Sequence, residues 1–232
     1  LLGDGFAQAL GLIWHADRQV FAVVFFSLGV TLLATLLATL LGLPLALLLH
    51  FRQFPGKTLC ITLLNTLLSV PTVVVGLLVY AILSRRGPAG ELNLLFTPEA
   101  IIIGDILLGL PIITALGITA LQAVDLRARE TALSLGAGPF SLAFLLLLEA
   151  RYALLTAIIS AFSKIISEVG CAIMVGGNIR GYTRTITTSI ALETSKGEFA
   201  EAIALGMILF VIALIINSIL RYFQLKNSLW KS

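Results

Sequence analysis

Small and polar side chains recur between residues 149 and 167 at a spacing that one helical face accommodates. Glu149, Ala153, Thr156, Ser160, Ser163 and Ser167 follow one another at steps of four, three, four, three and four. That order sets them along a single seam. Lys164 and Glu168 lie beside the seam, one helical turn apart. Neutral hydroxyls flanked by a cation and a carboxylate suit the passage of a polar solute better than bond-making. Two readings stay open: the wall of a polar pathway, or a tight helix–helix interface with Lys164 and Glu168 as a structural pair, since Ser and Thr also pack closely between membrane helices. A similar stripe of Ser27, Thr31, Thr35 and Thr39 reads as packing.

A second constellation runs from Asn178 to Ser189. Arg180 and Arg184 are cations four residues apart, set among Asn178, Thr183, Thr185 and further hydroxyls. Such a surface guides an oxyanion by charge and neutral hydrogen bonds. The alternative is a solvated loop whose arginines sit at the level of lipid headgroups. Covalent chemistry has no comparable set. The segment Pro55-Gly56-Lys57-Thr58 ends like a phosphate-binding loop, but Phe51 stands where that loop needs its first glycine. His15 and His50 are too few and too far apart for a metal site, and Cys60 and Cys171 sit in apolar runs as small hydrophobes. No catalytic residue and no metal ligand set is expected.

The elements that must hold these residues follow from composition. Of 232 residues, 59% are hydrophobic and 12% charged, against about 45–50% and about 25% in soluble domains. One water-soluble core of this size cannot hide so much apolar surface. Fifteen basic residues spread along the chain make no nucleic-acid patch. A membrane-crossing helix needs ~20 predominantly apolar residues, and five stretches qualify. They run from Arg18 to His50, from Lys57 to Arg85 around Pro71, from about 100 to 124 with Asp105 and Pro111, from about 140 to 166, and from 202 to 220. Backbone groups in hydrocarbon must bond internally, so these are helices, and Pro71 and Pro111 predict kinks. The expectation is one all-α polytopic domain over 1–232, with an amphipathic lead at 1–18. Within residues 169–198 the apolar run Val169 to Val175 is too short to span and leads into a hydroxyl-rich stretch, so this segment reads as a re-entrant or surface element. Charge leaves the orientation tied, with seven cations on each side and Arg151 inside a span.

The loop between the third and fourth spans, 125–140, carries a short helix-compatible stretch stopped by Gly136 and by Gly138-Pro139. Its run Glu130-Thr131-Ala132-x-x-x-Gly136 resembles the cytoplasmic loop of ABC importer permeases: Glu-Ala-Ala, three residues, then Gly. That family continues with nine residues and Ile-x-Leu-Pro. Here nine residues after Gly136 end at Leu145, and Leu146-Leu147-Leu148-Glu149 follow. The spacing and Leu148 match, whereas Glu149 replaces the proline, so the start of the fourth span should bend differently. The run from Val175 through Gly176-Gly177-Asn178 to Thr185, with Glu193 to Phe199, is most similar to the molybdate/tungstate branch, tungstate above all.

The resemblance implies the transmembrane domain of a type I importer with about five spans. It implies a homodimer in the cytoplasmic (inner) membrane, with the C-terminus in the cytoplasm. Two ATP-binding cassette subunits, which use ATP and Mg, would dock below, and an extracytoplasmic binding protein would deliver the oxyanion, so the chain itself would bind no cofactor. Arg129, Glu130, Thr131, Ala132, Leu135 and Gly136 would form the coupling helix seated on the ATPase. Thr156, Ser160, Ser163, Lys164, Ser167 and Glu168 would line the pathway. Asn178, Arg180, Thr183, Arg184 and Thr185 would face the oxyanion or its binding protein. Tungstate is favoured over molybdate or sulfate, which the same machine would also suit. An ion-coupled secondary transporter using Lys164 and Glu168, and an assembly factor without transport, are the readings of other classes.

Overall fold

Glycine and alanine decide how the long helices meet. The computed structural model describes residues 2–230, with side chains over 5–226. Leu1, Lys231 and Ser232 lie outside the described residues, so the ends of the expected 1–232 domain and one of the counted cations do too. Helix α1 (Leu2–Trp14) precedes α2 (Arg18–Phe51). On α2, Ala34, Ala38 and Ala46 are fully buried. A Cβ on Gly109 would lie 3.3 Å from that of Ala38, one on Gly42 3.0 Å from Ile113 Cγ2, and one on Gly117 3.1 Å from the Cβ of Ala46. These contacts advance together along α2 and α5 (Pro98–Gln122). The two helices therefore run parallel and close, as small residues permit in membranes. Ser27, Thr31 and Thr35 on α2 are buried.

Between them the chain returns in two pieces, α3 (Lys57–Leu67) and α4 (Thr72–Leu83), bent by 103°. The expected kink at Pro71 is a complete break. Leu68 and Ser69 tighten into i→i+3 bonds, and Pro71, without an N–H, caps α4 and accepts from Val74 N at 2.9 Å. Pro111, in contrast, lies inside the uninterrupted α5.

After α6 (Leu126–Ser134), the expected fourth span is also two helices, α7 (Pro139–Glu149) and α8 (Arg151–Ile166), bent by 70°. Ala150 holds the joint at φ −82°, ψ 0°, and Arg151 Nη1 donates to the Leu148 carbonyl at 2.8 Å. A guanidinium thus satisfies a carbonyl at the bend. Glu149 consequently lies on α7, off the seam that the sequence draws along α8. Arg151 sits at the joint, over the ring of Tyr152, which stacks on Phe223 of the last helix.

The short α9 (Gly170–Gly176) is wedged between α4 and α5. A Cβ on Gly76 would lie 2.9 Å from Cys171 Cα, and one on Gly104 2.5 Å from Cys171 Sγ. Then follow α10 (Ile186–Lys196) and α11 (Phe199–Trp230). The first turns of α11 pack on α1 near Gly5 and on Val20 and Val24 of α2, so the lead at 1–18 includes a helix laid against α11. Among the described residues all regular elements are helical. Three helices, α2, α5 and α11, are long and apolar enough to cross a bilayer, and counting each bent pair as one span brings the total to five.

Candidate coupling helix and polar core

Helix α6 lies at the end of the bundle where α2, α5 and α11 finish. Arg129 is within electrostatic reach of His50, and the Tyr152–Phe223 stack lies at the same end. Asp125 caps α6 by accepting from Arg127 N at 2.9 Å. No α6 residue is buried. Gly136 stops the helix at φ +79°, while a Cβ there would meet nothing within 4 Å. Glycine is needed for its backbone conformation, not for space. Ala137 N donates to Ala132 O at 3.0 Å and closes the turn. Arg129, Glu130, Thr131 and Gly136 are exposed, and Ala132 is half-buried. Leu135 is 83% exposed and Phe140, just beyond, 86%. The element is a compact, capped helix that presents charge and apolar side chains outward.

On α8 the buried residues are Leu154, Ala157, Ala161, Ile165 and Ile166. Thr156, Ser160 and Ser163 are half-buried on the flank of that apolar face, and Lys164 and Ser167 are exposed. The hydroxyls of Thr156 and Ser160 bond to the carbonyls four residues back, at 2.9 and 2.8 Å. The seam thus borders the buried apolar face of α8, half-buried over Thr156, Ser160 and Ser163 and exposed at Lys164 and Ser167.

Glu168 does not join it. It is 7% exposed, lies beyond the end of α8, and its Oε1 accepts from Gly170 N at 2.8 Å and Cys171 N at 3.3 Å. The carboxylate caps α9. Lys164 and Glu168 form no ion pair among the described residues, so the expected structural pair is not formed here. Glu168 instead borders a small polar void with Asp105 and Thr31, a grouping the sequence analysis missed because Asp105 read only as one charge in a long apolar run.

The hydroxyl-rich segment turns its polar groups on itself. Asn178 Nδ2 donates to Thr188 O at 3.1 Å, and Thr188 Oγ1 donates to Asn178 Oδ1 at 3.0 Å. Thr183 Oγ1 accepts from Ile179 N and donates to Gly176 O. Thr185 and Thr188 make a capping box at the start of α10. Ile186 N donates to Ser27 Oγ at 2.8 Å, pinning the segment to α2. Asn178, Thr183 and Thr185 thus build the scaffold, and Arg180 and Arg184 project from it. Arg184 Nη1 pairs with Glu193 at 3.3 Å, and Lys196 reaches the same carboxylate at 3.0 Å.

A five-span helical bundle with one capped helix exposed between the third and fourth crossings is the transmembrane domain of an ABC importer. The crystal structure of an amino acid ABC transporter with histidines superposes with TM-score 0.69 at 20% identity, covering 94% of this chain and 97% of that one. An inward-facing MetNI methionine ABC transporter gives 0.70 at 18% identity, covering 92% and 98%. No protein-family profile matches the chain. By sequence, the tungstate uptake system permease protein TupB of Campylobacter jejuni is 43% identical over 216 residues, 93% of this chain and 90% of that protein. TupB of Peptoclostridium acidaminophilum is 39% identical over 223 residues, 96% and 98%. The molybdenum transport system permease protein ModB of Escherichia coli K12 is 31% identical over 206 residues, 82% and 90%. The chain belongs to the TupB family of ABC importer permease subunits. Such subunits are not themselves ATPases, and the chain is a membrane protein.

Proposed function

We propose that the chain is the membrane-spanning subunit of an ATP-driven tungstate importer. Two copies enclose the pathway, two ATP-binding cassette subunits dock on α6, and an extracytoplasmic binding protein delivers the oxyanion to the opposite end. The observation that carries this reading is the 43% identity to a tungstate permease across 93% of the chain. The exposed α6 supports the ATPase partner, because a rigid, capped helix joined directly to two spans transmits motion without deforming. On this reading α6 lies in the cytoplasm, and so does the end of α11, which runs to the same end of the bundle. Thr156, Ser160, Ser163, Lys164 and Ser167 face the pathway or the second copy, and Glu168 holds the re-entrant α9 behind them. The binding protein meets the end that carries residues 178–185. Molybdate is the competing cargo, favoured by the 31% identity to ModB over 82% of the chain.

Metal accumulation measured by mass spectrometry tests the reading. Cells lacking the chain and complemented cells grow with tungstate and molybdate together at low nanomolar levels and excess sulfate. Tungsten uptake should be lost in the deletion and restored by the wild-type chain. Loss of molybdenum alone would reassign the cargo and keep the machine. No change in either metal would overturn the oxyanion reading.

A further inference from the structure

Arg180 and Arg184 share a recess with a third guanidinium. A hollow of about 270 Å³ lies between the first turns of α2, the loop before α10 and the start of α11, and its walls include Arg18, Gln19, Arg180, Tyr182, Arg184 and Glu201. It opens at the end of the bundle away from α6. Arg18 forms no ion pair among the described residues, and Arg180 donates to Gln19 Oε1, a neutral acceptor. The Arg184 side chain is 10% exposed and spends Nη1 on Glu193. Its Nε, fully buried, has no hydrogen-bond partner. A buried guanidinium nitrogen without an acceptor is costly, and it leaves the Arg184 charge only partly satisfied by its own surroundings. The walls carry three guanidiniums and one carboxylate, Glu201, which Arg180 and Arg184 reach electrostatically together with Glu193 and Asp17. Arg184 is already paired with Glu193, so Arg18 and Arg180 are the cations without an ion pair among the described residues. Guanidinium forks match the paired oxygens of a tetrahedral oxyanion.

We propose that this recess binds a tetrahedral oxyanion dianion of the transported class, as a holding site where cargo leaves the binding protein. The proposal rests on the importer reading. Glu201 is the competing group: it neutralises the arginines when the recess is empty and weakens the hold on the dianion, so that cargo is passed on. Substitutions on the two sides of this balance should therefore act in opposite directions, which a general folding defect cannot imitate.

The test uses the full chain purified in uncharged detergent, without binding protein, dialysed to equilibrium against tungstate with bound tungsten read by mass spectrometry. The wild type should take up one tungstate per chain, displaced by molybdate or sulfate. Arg18→Gln and Arg180→Gln should each weaken binding by about tenfold or more, as loss of a charge-assisted bond does. Glu201→Gln should tighten it. Arg85→Gln, a cation outside the recess, should bind as wild type. Absence of binding, or binding indifferent to Arg18 and Arg180, would overturn the proposal. Lipid phosphate offers the same chemistry, so the measurement is repeated in nanodiscs of phosphatidylcholine and of phosphatidylglycerol. Equal tungstate affinity in both supports a free dianion. Exclusion of tungstate by phosphatidylglycerol would overturn it in favour of a headgroup. Normal wild-type binding with Arg180→Gln weakening only the docking of the binding protein would overturn it in favour of an acidic protein contact. Complemented cells that import tungsten while the purified chain binds none would refute the recess alone. A chain that binds with the expected pattern but restores no uptake would refute the importer reading instead.

Discussion

At the scale of single residues, the two charges that the sequence sets side by side have separate work. Glu168 accepts from the amides of Gly170 and Cys171, so Glu168→Ala leaves two donors at the start of α9 without an acceptor. Thermal unfolding in detergent should show a loss of about 1–3 kcal/mol, with Glu168→Gln milder because its carbonyl oxygen still accepts. Lys164 is exposed and bound to no carboxylate among the described residues, so Lys164→Ala should unfold at the wild-type temperature while its initial rate of tungsten uptake changes severalfold. An unchanged rate would place the α8 seam outside the pathway. The sequence showed Lys164 and Glu168 one turn apart, which holds only while the helix continues. It stops at Ile166, and a stop without proline or a glycine cap at that point leaves no mark in the residue types. In the same way, composition revealed that the segment after Asn178 is rich in donors, but not that Asn178, Thr183 and Thr185 use them on their own chain. Arg18 could not be read at all as a companion of Arg180 and Arg184, since the α2 start and that loop stand 161 positions apart where Gln19 meets Arg180.

At the scale of elements, α6 and α9 depend on their surroundings in opposite ways. Helix α9 has seven residues, too short to be stable alone, and is held by close backbone approach at Gly76 and Gly104. Gly104→Ala should cost about 1–3 kcal/mol by overpacking against Cys171, read as a lowered unfolding temperature, and a second substitution, Cys171→Ala, should recover part of the loss by vacating the sulfur. Helix α6 has no buried residue and so tolerates surface change. Glu130→Ala should leave the chain folded but abolish the stimulation of ATP hydrolysis by loaded binding protein in the reconstituted complex. Retained stimulation would count against α6 as the coupling element. Spans and the α6 loop were legible because apolar length and glycine stops are local properties. The 103° and 70° breaks were only half legible. Pro71 signals interruption but not its size, and the joint at Ala150 contains no helix breaker, only a residue held by what packs around it.

At the scale of the whole molecule, the parallel run of α2, α5 and α11 puts α6 and the end of α11 at one pole and the arginine recess at the other. This polarity makes sidedness testable. In a Cys60→Ala background, with Cys171 buried, Ser134→Cys should react with a membrane-impermeant maleimide only after cells are permeabilised, whereas Asn93→Cys, in the loop between α4 and α5, should react in intact cells. The reverse pattern would invert the proposed orientation.

The apolar side chains around α6 carry a consequence for how the chain is made in the cell. Leu126, Leu133, Leu135 and Phe140 are 67%, 49%, 83% and 86% exposed, on the surface that the proposed ATPase docking would cover. Patches of this kind are aggregation liabilities. A permease synthesised in excess of its ATPase would display them as the signature of an orphan subunit, open to chaperones and membrane proteases, so the surviving amount of this chain should follow the supply of its partner rather than its own rate of synthesis.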